Sequence, residues 1–164
     1  MKAAINDASI IIDLIELELI EFLFKLDYLF ITSDFIVNEI SRIEQKSVLS
    51  EYINKQLIIA DIPGEAMPDL FKLSTDFREL SIPDCSVLFL AKVHSAIVLT
   101  NDKPLRKAAQ VLNMEYHGTL WILEQLVDTL LIQNQTAIEK LNVLIQMNPR
   151  LPKAECERLF LKWE

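Results

Sequence analysis

The sequence predicts an α/β fold of three layers, in which helices cover both faces of a central parallel sheet of four to five strands. Short apolar runs of four to six residues alternate along the chain with longer segments of helical periodicity. Strands that are separated by helices pair in parallel through right-handed crossovers. The chain has 164 residues, of which 51% are hydrophobic, and this suffices for one core that buries the sheet on both faces.

The predicted elements follow in order from the N-terminus. Apolar runs predict strands at residues 3–6, 28–32, 56–61, 96–100 and a short fifth one at 114–116. Helical periodicity predicts helices at residues 8–26, 35–52, 67–77, 83–94 and 103–112. In the first of these helices, 12 of the 17 residues from Ile10 to Leu26 are apolar, which is more than one amphipathic face requires. We therefore expect that helix to be buried on two sides, either within this chain or against a second subunit or partner.

Beyond Gly118 the pattern is helical only. It predicts helices at residues 119–131, 136–146 and 153–163, with Pro149 and Pro152 separating the last two. We expect an α/β domain at residues 1–117 and a helical extension at residues 118–164 that packs on the same domain. The chain has only two glycines and no repeat, so a flexible linker is not expected.

Composition limits the classes of function. The apolar stretch after residue 5 is interrupted by Asp13, Glu16, Glu18 and Glu21, so neither a signal peptide nor a membrane span is expected. The two cysteines have no CxxC spacing, which argues against a thiolate zinc site or a disulfide framework. We expect a cytoplasmic protein.

Four carboxylates are predicted to meet at one edge of the sheet: Asp7, Glu39, Asp84 and Asp102. In parallel α/β sheets, ligands bind outside the carboxyl ends of the strands. Two unit charges 4 Å apart near a protein surface repel by about 4 kcal/mol. The acids therefore predict a divalent metal site, and hydrolysis of a phosphodiester is the chemistry that such a site favours.

Each acid also has a structural alternative. Asp7, Asp84 and Asp102 stand at or near helix starts, where a carboxylate caps backbone N–H groups. Glu39 falls inside the helix predicted at residues 35–52 and cannot cap it, so its alternative is an ion pair with Arg42.

The formal net charge of −8 argues against recruitment of RNA by the field of the whole molecule, so any phosphate contact must be local. The densest basic cluster is Lys103, Arg106 and Lys107, directly after Asp102. We predict that these three residues bind substrate; a solvated face paired with Asp102 is the alternative.

Four short motifs resemble those of PIN-domain nucleases, which include the ribonuclease toxins of bacterial toxin–antitoxin pairs. They are Asn6-Asp7-Ala8-Ser9, Val37-Asn38-Glu39-Ile40, Ile82-Pro83-Asp84 and Leu99-Thr100-Asn101-Asp102-Lys103. The tail, with His117-Gly118-Thr119-Leu120 followed by helices, resembles an extended prokaryotic PIN-like subgroup.

This resemblance implies hydrolysis of RNA assisted by Mg²⁺ or Mn²⁺, with Asp7, Glu39, Asp84 and Asp102 as the catalytic and metal-binding acids. It also implies supporting roles for Ser9 and Thr100. The partners it implies are an RNA substrate, a small antitoxin protein and a second copy of the chain in a homodimer.

Two other functions remain open. The chain could be a PIN-like protein-interaction module that has lost catalysis, as its acidic composition allows. It could also be a receiver-like domain with Asp61, at the end of the third predicted strand, as phosphoacceptor. Thr100 and Lys103 share one turn, whereas a receiver needs its hydroxyl residue and its lysine on separate strands.

Overall fold

Five parallel strands form the centre of the fold. The structure is a computed structural model that describes residues 1–164. In spatial order the strands run β3-β2-β1-β4-β5. They are β1 (Lys2–Asn6), β2 (Tyr28–Ser33), β3 (Leu57–Ala60), β4 (Ile97–Leu99) and β5 (Tyr116–His117). The predicted α/β class, with its parallel sheet and covering helices, is confirmed.

Ten helices surround this sheet. They are α1 (Ala8–Glu16), α2 (Ile20–Leu23), α3 (Asp34–Glu39), α4 (Ile43–Ser50), α5 (Met67–Asp76), α6 (Ile82–His94), α7 (Lys103–Val111), α8 (Thr119–Asp128), α9 (Asn134–Met147) and α10 (Lys153–Trp163). None of the ten has the length and apolar character that a membrane crossing demands.

Two predicted helices are each divided in the structure. The segment at residues 8–26 forms α1 and α2, because Glu18 adopts a left-handed backbone conformation with φ of 58° between them. The segment at residues 35–52 forms α3 and α4, because Ile40 is extended and ends α3. Glu39 is therefore the last residue of a six-residue helix, and its predicted position inside a long helix was wrong.

Polar side chains are rare in the interior and are concentrated at one edge of it. One apolar cluster of 43 buried residues fills the space between sheet and helices. Eight polar or charged residues are buried with it, and all except Gln45 lie where the strands end and the helices begin: Asn6, Asp7, Thr32, Ser33, Ser86, Thr100 and Thr119. Burying polar groups is costly unless they are hydrogen-bonded, so a concentration of them at one edge indicates a functional site there.

Candidate functional site

The ends of β1 and β4 bring Asp7 and Thr100 together. Asn6 pairs with Leu99 in the parallel register, so the next residue of each strand emerges at the same point of the edge. The N–H of Asp7 donates to the carbonyl of Leu99 at 2.9 Å. The hydroxyl of Thr100 donates to Asp7 Oδ2 at 2.6 Å, and the hydroxyl of Ser9 donates to the same oxygen at 3.0 Å. Ser9 and Thr100, the two residues with predicted supporting roles, thus both contact Asp7 directly.

Asp7 does not act as a helix cap. It occupies the N-cap position of α1, yet its side chain makes no capping hydrogen bond, and the residue is only 4% exposed. Burial has the largest effect on the pKa of Asp7 and raises it. The hydrogen bonds from Thr100 and Ser9 lower this pKa, and the charge of Asp84 raises it further. The capping alternative therefore does not account for this buried carboxylate.

Asp84 and Asp102 combine a capping role with a place at the site. Asp84 completes a capping box at the start of α6, where its Oδ2 accepts from the N–H of Ser81 at 2.9 Å. Asp102 Oδ2 accepts from the N–H of Leu105 at 3.1 Å and caps α7. In Asp84 and Asp102, as in Asp7, the oxygen that accepts the hydrogen bonds from the protein is Oδ2. Burial raises the pKa of Asp84 first, and the charge of Asp102 raises it further.

Glu39 lies at the exposed rim of the same site. Partial loss of hydration raises its pKa first, and the charges of Asp7, Asp84 and Asp102 raise it further. Its side chain is largely exposed to solvent, so the neighbours remove only part of its hydration. Arg42, its predicted alternative partner, instead pairs with Glu16 at 3.4 Å and Glu44 at 3.9 Å. The carboxylate of Glu39 thus lies within the electrostatic field of the other three acids.

A buried pair of serines connects the helix of Glu39 to the helix of Asp84. Ser33 caps α3 by accepting from the N–H of Ile36 at 3.1 Å, and its Oγ lies 2.7 Å from Ser86 Oγ on α6. The Ser86 hydroxyl donates to the carbonyl of Pro83 at 2.6 Å, so Ser33 supplies the proton shared by the two hydroxyls. Sequence reasoning did not find this pair, although a serine between a strand and a helix is a common N-cap signal.

Asp13 is an acid that sequence reasoning did not assign to the site. Its Oδ2 accepts from Asn101 Nδ2 at 2.8 Å and from Thr119 Oγ1 at 2.9 Å. The N–H of Asn101 in turn donates to Ser9 Oγ at 3.0 Å. Burial raises the pKa of Asp13, and these two hydrogen bonds oppose the rise. The network connects α8 to Ser9, which donates to Asp7. The only sequence signal for Asp13 is an acid inside an apolar helix.

Gly118 makes this network possible. A Cβ atom at this position would lie 2.6 Å from Asn101 Oδ1 and 2.8 Å from Arg106 Nη1. The second of these atoms belongs to a guanidinium that lies over the ring of Tyr116, 5.2 Å from its centroid. Of the three predicted substrate-binding cations, Arg106 is therefore held against β5, whereas Lys103 and Lys107 are exposed.

The site acids have no cationic partner within the chain. None of Asp7, Asp13, Glu39, Asp84 and Asp102 takes part in an ion pair. No group of three or more His, Cys, Asp or Glu side chains is arranged to ligate one ion directly. Mg²⁺ is commonly bound through one or two carboxylates while it keeps several waters, and Mn²⁺ also prefers oxygen ligands. An all-carboxylate set without a compensating cation fits such an ion.

Comparisons with known proteins agree with this architecture. Residues 3–164 match a family model described as a PIN domain. Among solved structures, PAE2754 from Pyrobaculum aerophilum superposes with a TM-score of 0.57 at 13% sequence identity, covering 77% of this chain and 98% of that chain. At this identity the likeness concerns the fold alone. No curated protein matches the chain significantly.

Proposed function

Because the chain belongs to the PIN-domain family, whose fold is of the nuclease type, we propose that it is a ribonuclease that hydrolyses RNA phosphodiesters with Mg²⁺ or Mn²⁺. The family membership confirms the resemblance that the four motifs predicted. The metal dependence, the RNA substrate and the assignment of catalytic residues are the proposal.

The observation that carries this proposal is the state of Asp7. An ionised carboxylate that is 4% exposed, makes no cap and has no cationic partner destabilises a folded protein, and such groups are retained mainly at functional sites. Its neighbours Asp84 and Glu39 increase the cost through like charge. A divalent cation offsets both the burial and the repulsion.

In this function Asp7, Glu39, Asp84 and Asp102 would hold the ion, one or two of them directly and the others through waters that the ion retains. When bound, a divalent ion supplies a water of lowered pKa and positive charge near the phosphoryl oxygens of the transition state. Hydrogen bonds to an ionised carboxylate favour its charged form, so Thr100 and Ser9 help to keep Asp7 ionised despite its burial. Both bonds end on Oδ2, which leaves the second oxygen of Asp7 outside them.

Cleavage of labelled RNA, both single-stranded and structured, tests the proposal. We expect cleavage in Mg²⁺ or Mn²⁺ that EDTA abolishes, and we expect Mn²⁺ at about 100 times its Kd to stabilise the fold by about 2.7 kcal/mol. Asp84→Asn should remove most of both effects. Asp69→Asn, the same substitution at an exposed position of the first turn of α5, is the control and should retain them.

If the wild-type protein neither cleaves RNA nor gains thermal stability from Mn²⁺, the ribonuclease proposal fails, and a protein-interaction module becomes the better description.

We extend the proposal to a role as the toxin of a toxin–antitoxin pair. In this role a small antitoxin protein is the inhibitor, a homodimer is the active form, and the protein acts in the cytoplasm. The toxin-like motifs support it. Expression of the chain should then arrest growth, Asp84→Asn should relieve the arrest, and sedimentation should give twice the 18.9 kDa chain mass. Growth unaffected by an active enzyme would refute the toxin role alone.

A further inference from the structure

A cavity of about 360 Å³ lies between the loop before α6 and one side of α7, along which its lining extends from Pro104 to Val111. Its lining includes Leu80, which directly precedes the Ser81 that binds Asp84, and Pro104, which follows Asp102 by two residues. Both walls thus continue from segments that hold site acids. The cavity is therefore a neighbour of the proposed catalytic site, and its volume is in the range of ligand-binding pockets, about 300–1,000 Å³.

The lining of this cavity suits a nucleotide. Arg78 and Lys107 are exposed cations that form no ion pair, and Glu79 is the one acid beside them. Phe77 and Val111 supply an aromatic and an aliphatic surface. Two free cations next to an apolar wall are notable in a chain whose formal net charge is −8.

We propose that this cavity binds one nucleotide of single-stranded RNA next to the phosphodiester that is cleaved. This inference rests on the proposed ribonuclease function. Arg78 and Lys107 contact phosphate oxygens, and the apolar wall contacts the base. A base must be unstacked to enter such a cavity, so the site selects single-stranded over paired RNA.

The positions of Arg78 and Lys107 explain how a chain with a net charge of −8 can bind RNA. The crevice that contains the site acids Asp7, Glu39, Asp84 and Asp102 repels a polyanion. Phosphate binding, in contrast, gains affinity from each Lys or Arg that displaces counterions. The cations beside the crevice hold the strand locally, where the field of the whole molecule does not. Arg78 was not found by sequence reasoning, because it lies outside every basic cluster of the sequence.

Binding of a short fluorescent single-stranded RNA, measured by anisotropy in EDTA over a range of salt concentrations, tests the inference. Arg78→Ala and Lys107→Ala should each weaken binding about three- to tenfold and lower the slope of log K against log salt by about one. Lys92→Ala removes an exposed cation at the far end of α6 and should change neither. The same sequence in a duplex should bind more weakly than the single strand.

The outcomes separate this inference from the function on which it rests. Cleavage by the wild type, combined with unchanged RNA affinity in both cavity variants, would overturn the nucleotide site and leave the ribonuclease intact. Cavity-dependent RNA binding without cleavage in any metal would retain the site and overturn the ribonuclease. Equal affinity for duplex and single strand would also overturn the site.

Discussion

Two groups of acidic side chains in this molecule have opposite environments. At the edge of the sheet, the pKa values of Asp7, Asp84 and Glu39 are raised by burial and by the charges of neighbouring site acids, Asp102 among them. Between α8 and α10, Glu124 lies 2.9 Å from both Arg158 and Lys162, and the hydrogen bonds of these partners lower its pKa. The second group joins two helices through ion pairs, whereas the first has no cationic partner within the chain.

The difference shows which acids the fold uses for its own stability. Lys162 also reaches Asp128 at 3.0 Å, so the contact between α8 and α10 is a network in which charges compensate one another. Acids that are buried without such compensation reduce stability, and natural proteins retain them mainly at functional sites. Composition alone, with 24 acidic residues, cannot distinguish the two groups.

The largest expected effect comes from removing the charge of Asp7. Asp7→Asn should lower RNA cleavage by at least about 100-fold, because a preorganised charge near the reacting phosphate is lost. In EDTA its unfolding temperature should stay equal or rise, since the uncompensated charge is gone. Glu124→Gln is the matched control and should do the opposite, with full cleavage and a lower unfolding temperature. A loss of cleavage in both variants would contradict the separation of the two groups.

A smaller effect is expected at Thr100, which donates the 2.6 Å hydrogen bond to Asp7. Thr100→Val should lower cleavage at neutral pH by about tenfold, as expected for a group that orients a metal ligand. Because the pKa of Asp7 should rise further, part of the activity should return at higher pH. Thr100→Ser restores the hydroxyl and should recover both the rate and the pH profile. A pH profile unchanged in Thr100→Val would exclude an effect through the ionisation of Asp7.

The positions of the elements followed from sequence because local apolar runs determine strands and helices. The breaks at Glu18 and Ile40 could not be read, since neither residue is a glycine or proline. Glu39 was predicted to lie inside a helix, where it cannot cap, whereas in the structure the residue whose capping alternative fails is Asp7. The contacts of Asp13 join residues 88 and 106 positions apart, and a local pattern contains no information about such pairs.

The two groups should also respond to opposite ends of the pH scale. The pKa values of Asp7, Asp13 and Asp84 lie above the ordinary 3.8, so their contribution to stability is fully present below that value and is lost as pH rises through the folded pKa. The pKa of Glu124 lies below the ordinary 4.5, so its contribution is present above 4.5 and is lost as pH falls through the lowered pKa.

Without metal, stability should therefore decline as pH rises above about 3.8 through the raised pKa values, which is the neutral limb of the profile. It should also decline as pH falls below 4.5 through the lowered pKa of Glu124, which is the acidic limb. Thermal unfolding in EDTA from about pH 3 to about pH 8 measures both limbs. Asp84→Asn should flatten the neutral limb, and Glu124→Gln should flatten the acidic limb. If Asp84→Asn leaves the neutral limb unchanged, the crevice acids are not the source of that decline.

The smallest expected effect concerns an acid that belongs to neither group. Asp61 follows the edge strand β3, is exposed, and makes neither an ion pair nor a side-chain hydrogen bond, so its charge is fully hydrated. Asp61→Asn should leave cleavage and the unfolding temperature unchanged, because a hydrated surface charge contributes little to either. Incubation with a small phosphodonor, followed by mass spectrometry, should show no added phosphate. Phosphorylation that Asp61→Asn abolishes would instead identify a receiver-like phosphoacceptor and would contradict the assignment of function to the uncompensated acids of the crevice.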